Sequence, residues 1–156
     1  MMRELEGRAE AVAGTFKSQG VANTLKANAT MGREPGAGVV RELEGRAEAL
    51  AGTFNAQAVA NTLWAYATMA REPGAGLMRE LEGRAEALAG TFNAQGVTNT
   101  LWAYATMGRA PGAGVMWELE GRAEAVAGSF NAHGVANTLW AVCVLSIFAP
   151  SRKKVD

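Results

Sequence analysis

Apolar side chains recur every three or four residues between positions 77 and 88, with charged residues between them. At 100° per residue, one face of this segment collects Leu77, Met78, Leu81, Ala85 and Leu88. The spacing predicts an amphipathic helix that begins near Gly76, and Gly90 is placed to act as its C-cap.

A second helix is predicted to follow, because Asn93 is a favourable N-cap residue and Phe92 and Val97 have the spacing of a hydrophobic staple. Its buried face should contain Val97, Leu101, Tyr104, Ala105 and Gly108. The Pro-Gly-Ala-Gly segment at 111–114 then ends the unit. Two such helices joined by a short loop form an αα-hairpin.

The hairpin is repeated along the chain with a period of 38 residues. The segment that begins at Arg3 returns at Arg41, at Arg79 and, with a tryptophan in place of the arginine, at Trp117. The repeats are 3–40, 41–78, 79–116 and 117–154, and the second and third agree at 33 of 38 positions. This arrangement predicts an all-α fold, an α-solenoid of four tandem helix-turn-helix repeats with about eight helices. The array forms a single domain over 3–154, and the tail 151–156 is expected to be frayed.

The two ends of the array differ from its middle. Lys26 and Asn28 stand in the first repeat where Trp64 and Tyr66 stand in the second, which predicts a solvent-facing cap. The second helix of the last repeat ends in the apolar stretch 141–148. That end is therefore expected to contact a protein partner, further repeats, or a second copy.

Composition and charge exclude several functional classes. A formal net charge of zero excludes a strongly basic DNA-coating protein but leaves room for a locally basic groove. One cysteine and one histidine exclude a disulfide framework and most metal sites, and they cannot supply a nucleophile–base set, so we predict no enzyme, cofactor or metal. No apolar run reaches the roughly 18 residues of a membrane span, and no signal or transit peptide is visible. This predicts either a cytoplasmic protein or a sequence that does not begin at its natural start.

The candidate binding residues form a stripe on each second helix, at positions i, i+4, i+7 and i+11. The four stripes are Gln19, Asn23, Lys26, Thr30; Gln57, Asn61, Trp64, Thr68; Gln95, Asn99, Trp102, Thr106; and His133, Asn137, Trp140, Val144. Stacked repeats would align them into a row of amides and indoles. Amides can bond to base edges and indoles can stack on unpaired bases, at about one nucleotide per repeat.

Each of these residues also has a purely structural interpretation. The tryptophans lie at the edge of the apolar face and could pack between repeats, and the asparagines could bond to a neighbouring helix. Arg33, Arg71 and Arg109 follow the second helices, where they could contact phosphates or be solvated loop residues.

The segment 92–108, with its Asn-Thr-Leu-Trp-Ala core at 61–65, 99–103 and 137–141, resembles the octotricopeptide repeat, a 38-residue helical repeat of algal organelle proteins. The resemblance implies a paired-helix solenoid that binds single-stranded RNA in a chloroplast or mitochondrion and acts in RNA stability, processing or translation. The alternative from the residues is a protein-interaction scaffold that binds a peptide or helix in its groove, or a chain without activity of its own. A basic rim along the stripe would favour RNA, and a neutral or apolar rim would favour a peptide.

Overall fold

A computed structural model of the chain describes residues 2–32 and 36–148, and these residues form eight α-helices and no strand. The helices are α1 (Met2–Val12), α2 (Ser18–Thr30), α3 (Ala37–Leu50), α4 (Ala56–Thr68), α5 (Ala75–Leu88), α6 (Ala94–Met107), α7 (Ala113–Ala125) and α8 (Ala132–Phe148). Each repeat contributes one odd-numbered and one even-numbered helix, so the predicted all-α array of hairpins is confirmed. The predicted frayed tail at 151–156 lies outside the described residues.

Three of the four second helices, α4, α6 and α8, begin at an asparagine N-cap, whereas α2 has Lys17 at this position and no side-chain cap. Asn93 Oδ1 accepts a hydrogen bond from the Gly96 amide at 2.7 Å, and Asn55 and Asn131 make the equivalent bonds at the start of α4 and α8. These bonds satisfy one of the backbone donors that a helix start leaves open.

The ends of the first helices differ from the prediction. Each first helix continues into a 3₁₀ turn, at Ala13–Thr15, Ala51–Thr53, Ala89–Thr91 or Ala127–Ser129. Gly90 lies inside such a turn and is not the C-cap, because the Thr91 hydroxyl donates to the Leu88 carbonyl at 2.7 Å and closes the helix end instead. The left-handed cap is found at Gly108, which ends α6 with φ of 67°. Gly108 is also exposed, so it is not part of the buried face predicted for α6.

The helices form two layers. The second helices α2, α4, α6 and α8 pack side by side in one layer, and the first helices α1, α3, α5 and α7 pack side by side in the other. Much of the buried surface is alanine, which lets neighbouring helices approach closely. Because each repeat contacts its neighbours in sequence, the stability of the array depends mainly on these contacts between adjacent repeats.

One leucine on each second helix shows how neighbouring repeats bury each other. Leu25, Leu63 and Leu101 are fully buried, whereas the equivalent Leu139 in the last repeat is 61% exposed. The first helices show the opposite order: Leu43, Leu81 and Leu119 are fully buried, whereas Leu5 of the first repeat is 57% exposed. Each repeat therefore presents one leucine to the repeat that follows and another to the repeat that precedes.

The prediction of a solvent-facing polar cap on the first repeat is wrong. Asn28 is buried and Lys26 is half-buried, and the Lys26 ammonium lies 3.4 Å from Asn61 Oδ1 on the second repeat. These polar substitutions therefore face the interior and the second repeat. The outer end of the first repeat exposes apolar Leu5 instead.

Arginines join each repeat to the one before it. Arg46 Nε donates to the Phe16 carbonyl at 2.8 Å, and Arg84 and Arg122 make the same bond to Phe54 and Phe92 at 2.7 Å. The acceptor is always the carbonyl of the phenylalanine that precedes the N-cap residue of a second helix. A charged donor on a backbone acceptor is a strong hydrogen bond, and its recurrence fixes the register between repeats.

Two buried tyrosines lie between the layers. The Tyr104 hydroxyl donates to Glu82 Oε1 at 3.2 Å. Glu44 lies near Tyr66, and it accepts a hydrogen bond from the Gly74 amide at 2.6 Å. Burial raises the pKa of both tyrosines well above the usual value, and the nearby carboxylates raise it further.

The matched leucines test the importance of contacts between repeats. Leu63→Ala should lower the free energy of unfolding by about 3 kcal/mol, since a buried leucine is replaced by a cavity. Leu139→Ala removes the same atoms at the equivalent position and should cost less than about 1 kcal/mol, because that side chain is already largely exposed. Urea denaturation of dilute protein, followed by circular dichroism, measures both. Equal losses would contradict this account of the interface.

The tyrosines predict a loss of stability at alkaline pH. A tyrosine whose folded pKa is raised contributes stability below its unfolded pKa of about 10, and this contribution is lost as pH rises above that value. Between about pH 9 and pH 11, the melting temperature of the wild type should therefore fall more than that of the Tyr66→Phe/Tyr104→Phe variant. Lysine titration affects both proteins equally. Tyrosinate absorbance that develops near pH 10 while the helices remain folded would refute the prediction.

Candidate functional site

A groove with a volume of about 700 Å³ opens on the layer of second helices, across the second, third and fourth repeats. It brings together seven of the predicted binding residues: Trp64, Thr68, Gln95, Asn99, Trp102, His133 and Asn137. The stripes on three successive helices therefore do align into one surface. We call this surface the second-helix groove.

The indoles of the groove are partly in the core and partly accessible. Trp64 and Trp102 are half-buried against the core, and their ring centroids are 6.5 Å apart with a tilt of 33° between the planes. They contact each other across the boundary between repeats, as the structural interpretation of these residues predicts. Each retains accessible surface on which a planar group could lie. Trp140 is exposed and does not line the groove.

The asparagines are not equivalent from repeat to repeat. Asn61 is buried and bonded to Lys26 of the neighbouring helix, whereas Asn99 is half-buried and lines the groove. Asn137 Nδ2 lies 3.0 Å from His133 Nε2, so this pair shares a hydrogen bond on α8. Gln95 and Asn99 on α6 are therefore the amides best placed to meet a ligand.

The stripe residues of the first two repeats line a much smaller cavity than the second-helix groove. Gln19, Asn23, Gln57 and Asn61 line a separate small cavity of about 20 Å³ between α2 and α4. This space accepts no more than a water molecule. Thr30 and Thr106 are exposed outside both cavities, and Val144 is half-buried.

Sequence reasoning missed the residues that form one wall of the groove. Ser129, Phe130 and Asn131 come from the turn before α8 and line it beside the predicted stripe. The recurrence of Phe-Asn before three of the four second helices was visible in the sequence, but it indicated only a helix start. That this turn lies beside the stripe of the preceding repeat becomes apparent only when the repeats stack.

Charge is divided between the two layers. No acidic residue occurs in α2, α4, α6 or α8, and Lys26 is the basic residue these helices contain. The repeated glutamates lie on the first helices instead. Within the part of the chain that the structure describes, no charged side chain lines the second-helix groove.

The predicted phosphate-contacting arginines do not join the groove. Burial and Glu44 raise the pKa of Tyr66, and Arg71 acts in the opposite direction, which places Arg71 beside that pair. Arg109 has the same relation to Tyr104 and Glu82. Neither lines the groove, and Arg33 lies outside the described residues.

Residues 2–32 and 36–148 contain no group of three or more His, Cys, Asp or Glu side chains that could hold a metal ion. None of the described helices is long and apolar enough to cross a membrane.

Four short segments of the chain match a family model described as a protein of unknown function, DUF1601. The matches are at 13–25, 51–63, 89–101 and 126–139, and together they cover about a third of the chain. Each begins at or near the 3₁₀ turn and runs into the second helix, so the match repeats in step with the fold. Among curated proteins, none matches the sequence.

The resemblance to the octotricopeptide repeat is wrong, because the family model that matches is DUF1601. The shared core is explained by packing: Thr100, Leu101 and Ala103 are buried between neighbouring second helices. An Asn-Thr-Leu-Trp-Ala segment therefore marks a closely packed helical hairpin and does not identify that family. The chain is similar to a family whose function is unknown.

Proposed function

We propose that the second-helix groove binds single-stranded RNA, with the amides of Gln95 and Asn99 bonding to base edges and the indole of Trp102 stacking on a base. One observation carries the proposal: the layer that presents amides and indoles contains no acidic residue, whereas the repeated glutamates lie on the other layer. A polyanion can approach such a surface without repulsion from neighbouring carboxylates. The proposal concerns binding alone, since a role in organellar RNA metabolism depended on the family resemblance.

The geometry limits the affinity. Stacking on an aromatic ring is worth about 1–3 kcal/mol per base, but Trp64 and Trp102 each offer only part of a face. Few cations lie near the groove, so phosphate contacts contribute little, and association itself costs several kcal/mol. We therefore expect binding that is micromolar or weaker for the four repeats.

A peptide in extended conformation is the second candidate ligand. The absence of charged side chains from the groove lining favours it, because a neutral rim suits a peptide better than a nucleic acid. The same amides could bond to peptide backbone, and the indoles could cover apolar side chains or face a cation. The chain would then act as an interaction scaffold.

Two groups of variants test RNA binding in the groove. Gln95→Ala/Asn99→Ala should weaken binding of a labelled, randomised single-stranded RNA about tenfold, because two hydrogen bonds are lost. RNA that extends beyond the groove along the second-helix layer would meet Lys26 on α2. In that case Lys26→Ala should weaken binding modestly and make the slope of log affinity against log salt shallower by about 0.7, the value for one phosphate contact on a single strand. Fluorescence anisotropy at two salt concentrations measures both effects.

Arg79→Ala is the matched control, because it also removes one positive charge but lies on the exposed surface of a first helix. It should leave affinity and salt slope unchanged. Wild-type chain that fails to bind RNA at low salt and high protein concentration would rule out RNA binding by these repeats. Binding that is weakened as much by Arg79→Ala as by Lys26→Ala would place the RNA outside the second-helix groove.

A further inference from the structure

The last repeat exposes the surface that every other repeat buries against its successor. Val59 and Val97 are fully buried, whereas Val135 at the equivalent position is 44% exposed, and Leu139 beside it is the exposed leucine described above. Alanines equivalent to Ala127 and Ala136 in the first two repeats are also buried. We call the surface formed by Ala127, Val135, Ala136, Leu139 and Cys143 the trailing face.

The first repeat exposes the opposite surface. Leu5 and Ala27 are exposed, whereas their equivalents Leu119 and Ala141 in the last repeat are fully buried against the third repeat. Arg8 is likewise exposed, whereas Arg122 at the equivalent position donates to the Phe92 carbonyl. We call the surface formed by Leu5, Arg8, Gly20, Thr24 and Ala27 the leading face.

The two open faces carry the residues that already form an interface inside the chain. The leading face is identical, position by position, to the surface with which the fourth repeat contacts the third: Leu119, Arg122, Gly134, Thr138 and Ala141. At the positions of Val135 and Leu139 on the trailing face, the third repeat has the same residue types. At the position of Ala136, the first two repeats also have alanine. Cys143 in place of Ala105 adds one sulfur atom. The two ends are therefore complementary by the apolar contacts that hold the third and fourth repeats together. The hydrogen bond between the Thr98 and Thr138 hydroxyls has no counterpart, because Ala136 stands at the position of Thr98.

We infer that the chain associates head to tail with a second copy of itself, the leading face of one copy covering the trailing face of the next. Leu5 of one copy then reaches the apolar surface around Leu139 of its neighbour. Arg8 reaches the Phe130 carbonyl, to which no arginine within the described residues donates. The inference does not rest on the proposed function.

The polar contact sets the direction of association. Two trailing faces brought together would bury leucines but would supply no arginine for either Phe130 carbonyl. Two leading faces would bring two Arg8 guanidinium groups together without an acceptor of this kind. Head-to-tail contact satisfies both groups, and it leaves a free end on each side, so further copies can join in an open series.

Mass measurement at increasing concentration tests the association. Light scattering coupled to size exclusion, with reductant present so that exposed Cys143 cannot form a disulfide, should show a wild-type mass that rises above one chain. Leu139→Glu places a carboxylate on the trailing face, and Leu5→Glu places one on the leading face. Each variant alone should therefore remain monomeric. A mixture of the two should form a species with the mass of two chains, because one intact leading face and one intact trailing face remain.

Trp117→Glu is the control, since this apolar side chain lies on a position that is exposed in every repeat and belongs to neither face. It should assemble like the wild type. Circular dichroism should show equal helicity for all variants, because Leu5 and Leu139 are largely exposed in a single chain. A wild type that stays monomeric at every concentration would overturn the inference and leave a repeat of another protein as the occupant. Variants that assemble like the wild type, or a mixture that stays monomeric, would also overturn it.

Discussion

Contact between adjacent repeats is the interaction on which the rest of the structure depends. A single hairpin of this protein has few large apolar side chains, and Leu25, Leu63 and Leu101 become fully buried only because another repeat lies against them. Neither helix layer could persist without this contact, since a short helix of ordinary composition is marginal in water. The alanines between the leucines contribute by their small size, which lets second helices approach closely enough to form a continuous layer.

The same contact explains why residues that look functional in the sequence have mixed roles. Asn61 is held by Lys26 of the preceding repeat, and Trp64 packs against Trp102 of the following one. Their side chains stabilise neighbouring repeats and at the same time shape the second-helix groove. Gln95 and Asn99 have no such bond and lie in the open part of the groove, which makes them the residues where binding and packing can be separated.

The hairpins, their period and the helix starts could be predicted because they depend on local spacing and on N-cap chemistry at positions such as Asn93. The features that depend on contact with neighbouring repeats could not be predicted. Asn28 looked like a surface substitution, yet it is buried, since its exposure is decided by the helix beside it. The bond from Arg84 to the Phe54 carbonyl gave no signal beyond a recurring arginine, because its acceptor is backbone. The groove wall at Ser129 and Phe130 was missed because it forms only when the fourth repeat stacks on the third.

The division of charge between the layers has a consequence for arrays of other lengths. The first helices α3 and α5 each carry two arginines and three glutamates, whereas α4 and α6 carry no charged residue. Every unit added to such an array extends in parallel one side without carboxylates and another side that carries them. An added unit therefore enlarges the surface that a charged ligand can approach and leaves the field at each point of that surface nearly unchanged, since charges farther away than about 10 Å are largely screened in salt.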